Sequence, residues 1–454
     1  IASEKSIGVL PFTNENTEPD QQYFADGLSE DLIALLAKST DMRVAARGAS
    51  FKFRDSTTDT GGIGRALNAA YLLRGSVKTA GDSLHVATTL VKADDGTAVW
   101  SATYDRSVRD MIAVEREIAN KSVQALKTTL LAGALTSAPP QRDMNSYNLV
   151  LRGRYLLSEP TAENAARAAA YFQEAIRNDP KSAIAYALLA RTRLSQTGQG
   201  WISIPEGIAL ARDDAQHAIA IDPNLADGYE ALAFEQSAYE WNWDAAESNY
   251  RRALALEPGN AEVLRSAGLL MMKLGHFDEA IVGFQKAVER DPFIATYSSL
   301  SYALGVAGRW RESETAARTA LALGPNSILR HFNLARALVF QGKNTEALAE
   351  VAQEKKESWQ LMGYAIVYHA LGRHAESNAA LAEYKAKYAQ HSAMQIAEAH
   401  AYRGEVDSAF VWLERARAQN DPGITDLLDD PWLAKVRGDA RYGVLLKQVR
   451  LATQ

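Results

Sequence analysis

No cysteine occurs among the 454 residues, which excludes disulfides, thiolate metal sites and a cysteine nucleophile. An oxidising compartment, where a stray thiol is a liability, fits that absence, and so does the cytosol. A basic stripe is missing too. Lys and Arg number 49 against 55 Asp and Glu, and the net charge of −6 argues against nucleic acid as a partner. No apolar run approaches the roughly 20 residues that cross a bilayer. The opening "IASEKSIGVLPF" has neither the basic start nor the apolar stretch of a signal peptide, and no initiating Met. The expectation is a piece of a longer protein, with any membrane anchor upstream. What remains is a globular composition, 47% apolar and 23% charged, long enough for two to four domains or for one domain and a repeat array.

Strand and helix patterns alternate over the first 132 residues. "SIGVLPF" is a short continuous apolar run, the mark of a strand buried on both faces. Leu28, Leu32, Leu35 and Leu36 follow at helical spacing, with Asp26 placed to cap the helix. "MRVAAR" reads as a second strand and "GIGRALNAA" as a second helix. Tyr71–Thr79, Leu84–Lys92 and Thr97–Tyr104 are then separated by "AGDS" and "ADDG", which suit hairpins. Leu84, Val86, Thr88 and Leu90 share one face, and Ala98, Trp100, Ala102 and Tyr104 share another. A helix from Val108 to Leu130 closes an α/β domain with a small mixed sheet. Residues 133–144 include Pro139 and Pro140 and read as a linker at which the two halves should separate.

From 145 to 421 strands vanish and a repeat takes over. "AIRNDP", "AIAIDP", "ALALEP", "AVERDP" and "ALALGP" place prolines at 180, 223, 258, 292 and 325, the last three steps being 35, 34 and 33 residues. Gly275, Gly308, Gly342, Gly372 and Gly404 carry the period onward. A period near 34 with a helix–turn–helix in each unit marks tetratricopeptide repeats, about eight of them, forming an all-α superhelix. Residues 422–454 depart from the period and read as capping helices over the last apolar face. Asn344–Ser377 has lost its proline and carries "EKKES", so it is expected to be the weak stretch.

"SIGVLPF", "QQYFADGLSEDLIALLAK", "YLLRGSVKTAGDSLHVATTLVKADDGTAVWSATYDR" and "IAVEREIA", followed by the repeats and "LLDDPWLAKVRGDARYG", resemble a TolB-amino-terminal-like domain joined to tetratricopeptide repeats. The resemblance covers nearly the whole chain. It implies the carboxy-terminal sensory region of a membrane-bound class III adenylate or guanylate cyclase, or of a CadC-type winged-helix regulator, facing the periplasm. The alternatives are a free-standing scaffold or assembly protein and a cytoplasmic location. Neither a cyclase region nor a helix-turn-helix is in the sequence, so no catalytic or DNA-reading residue carries over, and the chain is expected not to be an enzyme.

Candidate chemistry is thin. "TGGIGRAL" lacks both the spacing of a dinucleotide loop and the Lys-Ser/Thr of a phosphate loop. His369 and His374 are five apart, not the i, i+4 of a helical zinc pair, and His276 sits in an ordinary turn. Asp26, Glu30 and Asp31 cluster where a helix amino terminus favours negative charge, with no partner base or nucleophile beside them. No cofactor and no metal are expected. A surface remains. Aligning the repeats puts Glu230, Phe234, Arg265, Met272, Lys273, Tyr302, Phe332 and Arg336 along the first helices, with Leu269, Val339 and Phe340 beside them. Aromatics, Met and Arg compose binding surfaces, so a protein or peptide partner, or a small ligand, is expected in this groove. Packing between neighbouring repeats is the competing explanation for its Leu and Phe positions.

Overall fold

The computed structural model describes residues 3–16, 21–39, 42–126, 143–158, 161–292, 296–324, 328–419 and 421–451. Residues 133–142 of the expected linker lie outside the described residues, and its last two, Asp143 and Met144, are the N-cap and first residue of a helix. The chain divides into two compact units, residues 1–266 with 286–294 and residues 267–285 with 295–454.

The first unit opens with a six-stranded mixed sheet: β1 (Ser6–Val9), β2 (Thr13–Asn14), β3 (Arg43–Val44), β4 (Tyr71–Ala80), β5 (Ser83–Lys92) and β6 (Ala98–Ser107). Its order is β3-β1-β4-β5-β6, with β2 pairing β4; β1 lies parallel to β3 and β4, while β4, β5 and β6 are antiparallel. Four helices accompany it: α1 (Gln22–Ala37), the single turn α2 (Arg47–Ser50), α3 (Thr60–Leu67) and α4 (Met111–Ala125). The two strand faces distinguished above are one. Register pairs Val86 with Tyr104, Thr88 with Ala102 and Leu90 with Trp100, so these six share the side of the sheet that meets α1 and α4, while a register shift sets exposed Ala98 against Val91. On the opposite side Ile63 and Leu67 of α3 share a smaller cluster with Leu72, Val91 and Ala93.

Helical hairpins fill the rest, as α5 (Met144–Leu156) with α6 (Ala162–Asn178), α7 (Ala183–Gly198) with α8 (Ile204–Ile221), and α9 (Ala226–Glu235) with α10 (Trp243–Leu256). Then come α11 (Ala261–Lys273) with α12 (Phe277–Arg290), α13 (Thr296–Val306) with α14 (Trp310–Leu323), and α15 (Arg330–Val339) with α16 (Asn344–Val351). Two more follow, α17 (Glu357–Ala370) with α18 (His374–Tyr388) and α19 (Ala393–Tyr402) with α20 (Val406–Ala418). The fold class read from the sequence, an α/β part followed by all-α repeats, is the one the structure has.

Small residues set the hairpin geometry. A Cβ on Gly268 would lie 2.8 Å from the Phe284 ring, so glycine lets α11 and α12 approach. The turn glycine Gly275 has φ +81°, in the left-handed region, and Trp241 (φ +54°) holds the corresponding slot after a π-helical turn at Gln236–Glu240. Residues 422–451 are less helical than expected. Pro422–Asp426 and Pro431–Leu433 form three-ten turns, and the one helix is α21 (Ala440–Gln448).

The first hairpin also serves the sheet. Tyr147 and Leu151 of α5 belong to the core formed by the sheet, α1 and α4, and a Cβ on Gly27 of α1 would come 2.5 Å from the Leu151 side chain. The expected weak stretch holds a core as well: Val351, Leu361, Met362, Ile366 and Val367 are buried in one cluster with Trp432.

Candidate functional site

Two polar clusters occupy the first-helix faces, one in each unit. In the first unit a cleft of about 750 Å³ is lined by α1, α2, α5, α7 and residues 257–262, with Asp291. Arg191 of α7 is its hub, 3.1 Å from Glu262, 3.5 Å from Glu230 and 3.6 Å from Asp227. Glu262 first, then Glu230, hold the guanidinium firmly charged against the cost of burial. Burial pushes the Glu230 carboxyl up to about 7 even beside Arg191. Arg154 of α5 reaches Asp31 at 2.6 Å, and the Tyr147 hydroxyl donates to the same carboxylate at 2.9 Å. Arg47 pairs with Glu30 at the rim.

The opening carboxylates are therefore not a cap over a solvated loop. Helix α1 starts at Gln22, with Gln21 at its N-cap, so Asp26 lies a full turn inside it. Its side chain is buried and accepts from Arg54 Nη2 and Gln22 Nε2, each at 2.7 Å. The apolar spacing becomes regular only at Leu28, which hides the true start of the helix, since Phe24 and Ala25 are already buried. "TGGIGRAL" is α3 itself, with Asp59 as its N-cap accepting from Gly62 N. His369 and His374 make a ring contact at 5.1 Å.

In the second unit the residues expected to await a partner already hold one. Segment 421–433 crosses the first-helix face and meets side chains from α11, α13, α15 and α19. Lys273 Nζ donates to Thr425 Oγ1 at 2.6 Å and to Asp426 Oδ1 at 2.5 Å. Burial alone would lower the Lys273 ammonium, but Asp426 and then Asp429 outweigh it and its pKa is raised. Arg336 lies 4.5 Å over the Tyr302 ring, with Asp430, Glu398 and Asp429 within electrostatic reach. The Glu398 carboxyl donates to Asp430, and burial, then the Asp430 charge, push it well above the usual carboxylate range. Asp429, 2% exposed, is pushed up by burial and then by Asp426. Trp432 closes the segment in an aromatic slot, 4.8 Å from the Phe340 ring and 5.1 Å from that of Tyr402.

The eight expected groove residues thus divide by environment. Glu230 and Arg265 belong to the first cluster, Arg265 acting on both Glu230 and Glu262. Phe234 is 41% exposed, edge-on to Tyr239 at 6.5 Å. Lys273, Tyr302 and Arg336 are covered by the chain's own segment. Met272 and Phe332 are buried, and Phe332 packs against Trp359, so these two stiffen the repeats and present nothing to a partner. Arg191, Asp227 and Glu262 were missed, although Asp227 and Glu262 stand one turn before Glu230 and Arg265 on the same helical faces.

A surface of stacked helical hairpins that presents charged side chains, with no cyclase domain in the sequence, is that of a repeat scaffold for protein interaction. Residues 240–300 match the family described as Tetratricopeptide repeat. Over 240 residues the chain is 31% identical to "Putative adenylate cyclase 3" of Rhizobium meliloti (strain 1021), which covers 52% of this chain. The chain spans only 41% of that relative's length. Among solved structures it is similar to a tetratricopeptide repeat protein from Parabacteroides merdae, at 17% identity and TM-score 0.40 over 54% of this chain and 93% of that one. It is also similar to the Pseudomonas aeruginosa protein pilF, at 19% identity and TM-score 0.39 over 48% of this chain and 96% of that one.

Proposed function

We propose that this chain is the non-catalytic sensory region of a bacterial membrane-anchored signalling protein, placed in the periplasm by a membrane helix upstream of it. In this reading it binds a protein partner at the charged cleft of its first unit. Repeats that serve interaction, and a relative named as an adenylate cyclase that is more than twice as long as the matched part, support the class. One observation carries the location. Lys273, Tyr302 and Arg336 are engaged by segment 421–433, whereas the cleft around Arg191 is open and brings exposed Lys52 and Ser195 to its lining. A partner entering there meets fixed charges of both signs, which confers specificity more than raw affinity.

A photo-crosslinking amino acid at Ser195, in the full-length protein in its own cells, tests this. The expected result is an adduct that Lys52→Glu removes and that the same probe at Val411, exposed on α20, does not form. Equal adducts from both positions, or an adduct indifferent to Lys52→Glu, would refute the cleft.

A further inference from the structure

The sheet of the first unit has a second face that its core does not use. Residues 72 and 91 on that face are covered by α3, and beyond them two cross-strand rows stand open. Register sets Arg74 beside Thr89 and Thr89 beside Ser101, then Ser76 beside Ala87 and Ala87 beside Thr103. Neighbours lie about 4.8 Å apart across the strands and the rows about 7 Å apart along them. Residues 53–60 border this lattice and turn it into a cleft of about 720 Å³, a size that holds a small molecule.

An antiparallel sheet often has one solvated face, and polar residues alone would mean no more than that. Two features go further. The 53–60 segment supplies Asp55, Ser56 and Thr58 from the opposite wall, with Asp55 held at φ +52°, a left-handed conformation that a non-glycine residue rarely adopts. Arg74 is exposed in the lining with no ion pair or side-chain hydrogen bond among the described residues, while the other cation there, Arg54, is spent on Asp26. Hydroxyls already pair with one another, Thr89 Oγ1 lying 3.0 Å from Ser101 Oγ.

The lining narrows the ligand by exclusion. Apolar molecules would bury hydroxyls without returning hydrogen bonds. Polyphosphates need several cations, and one is free. Asp55 is the lone carboxylate of the lining, too few for a divalent cation. We propose that this cleft binds a saccharide carrying one anionic group. Sugar hydroxyls exchange hydrogen bonds with Thr89, Ser101 and Thr103, Asp55 accepts from another, and the anionic group pairs with Arg74. Carboxylate and phosphate sugars share that chemistry. The proposal is independent of the partner cleft around Arg191.

Isothermal titration calorimetry on the full chain tests it with glucuronate, glucose 6-phosphate, glucose, acetate and inorganic phosphate. At least one anionic sugar is expected to bind saturably, about tenfold or more tighter than glucose. Arg74→Ala should erase that preference without moving the melting temperature, and Thr89→Val should weaken both sugars alike. Which anionic sugar binds better identifies the charged group. Absence of saturable heat with any sugar, acetate or phosphate binding as well as the sugars, or a preference that survives Arg74→Ala, would overturn the proposal.

Discussion

Raising the pH should loosen segment 421–433 from the second unit. Burial, the largest cause, pushes the Asp430 carboxyl from 3.8 to about 6, and burial also pushes its neighbours Glu398 and Asp429 well above the usual carboxylate range. The folded unit therefore binds protons that the unfolded chain has released. Stability drawn from Asp430 is complete below pH ~4 and is lost as the pH climbs through about 6, and Glu398 and Asp429 contribute with the same sign. Asp430 with Glu398 beside it makes this on the order of a few kcal/mol, a substantial part of an ordinary folding free energy. Lys273 and Arg336 face the cluster but stay charged throughout the window, so they add no slope. In the first unit Asp214 and Glu230, both pushed up to about 7, give a slope of the same sign, and the probe must be local. Fluorotryptophan at Trp432, followed by fluorine resonance through a urea titration, reads this segment. The midpoint should be higher near pH 5 than near pH 7.5, and Glu398→Gln with Asp430→Asn should shrink the difference, leaving the part due to Asp429. A midpoint that is unchanged or rises with pH, or a slope that both substitutions leave undiminished, would refute the reasoning.

Three further outcomes follow from packing. Nicking within residues 127–142 should leave two fragments that elute together until urea separates them, because Leu151 packs on α1 and Arg154 lies 2.6 Å from Asp31; fragments that part in native buffer would contradict this. Gly27→Ala forces a Cβ to within 2.5 Å of Leu151 and should cost about 1–3 kcal/mol by thermal or urea melting, with Leu151→Ala losing less in that background than alone. Amide exchange should be faster over 349–356, where α16 ends after eight residues, than over Leu361–Val367, whose side chains fill the core; the reverse order would place the weak point elsewhere.

Period was legible in the sequence, and partnership was not. Prolines at 34-residue steps and alternating strands fix the class of each part because they depend on spacing alone. The boundary was harder to see, since Tyr147 and Leu151 look like any repeat helix until their second neighbour, α1, is known. The surroundings of the candidate groove were hard to see for the same reason. Alignment of the repeats brings Lys273, Tyr302 and Arg336 to one face, but "LLDDPW" gives no sign that it folds back across that face. Asp26 misled for the opposite reason: its partner Arg54 is 28 residues away, beyond any local pattern.

Segment 421–433 also sets an order of events. Lys273 waits for Asp426, 153 residues downstream, which at ordinary synthesis speeds is a delay on the order of ten seconds. Until then the first-helix face of the second unit carries unanswered positive charge and an empty slot for Trp432. A chain that stops early keeps both. Residues 421–433, made after the helices they cross, thus act as a completion mark for the second unit, hiding a face that stays bare until they arrive.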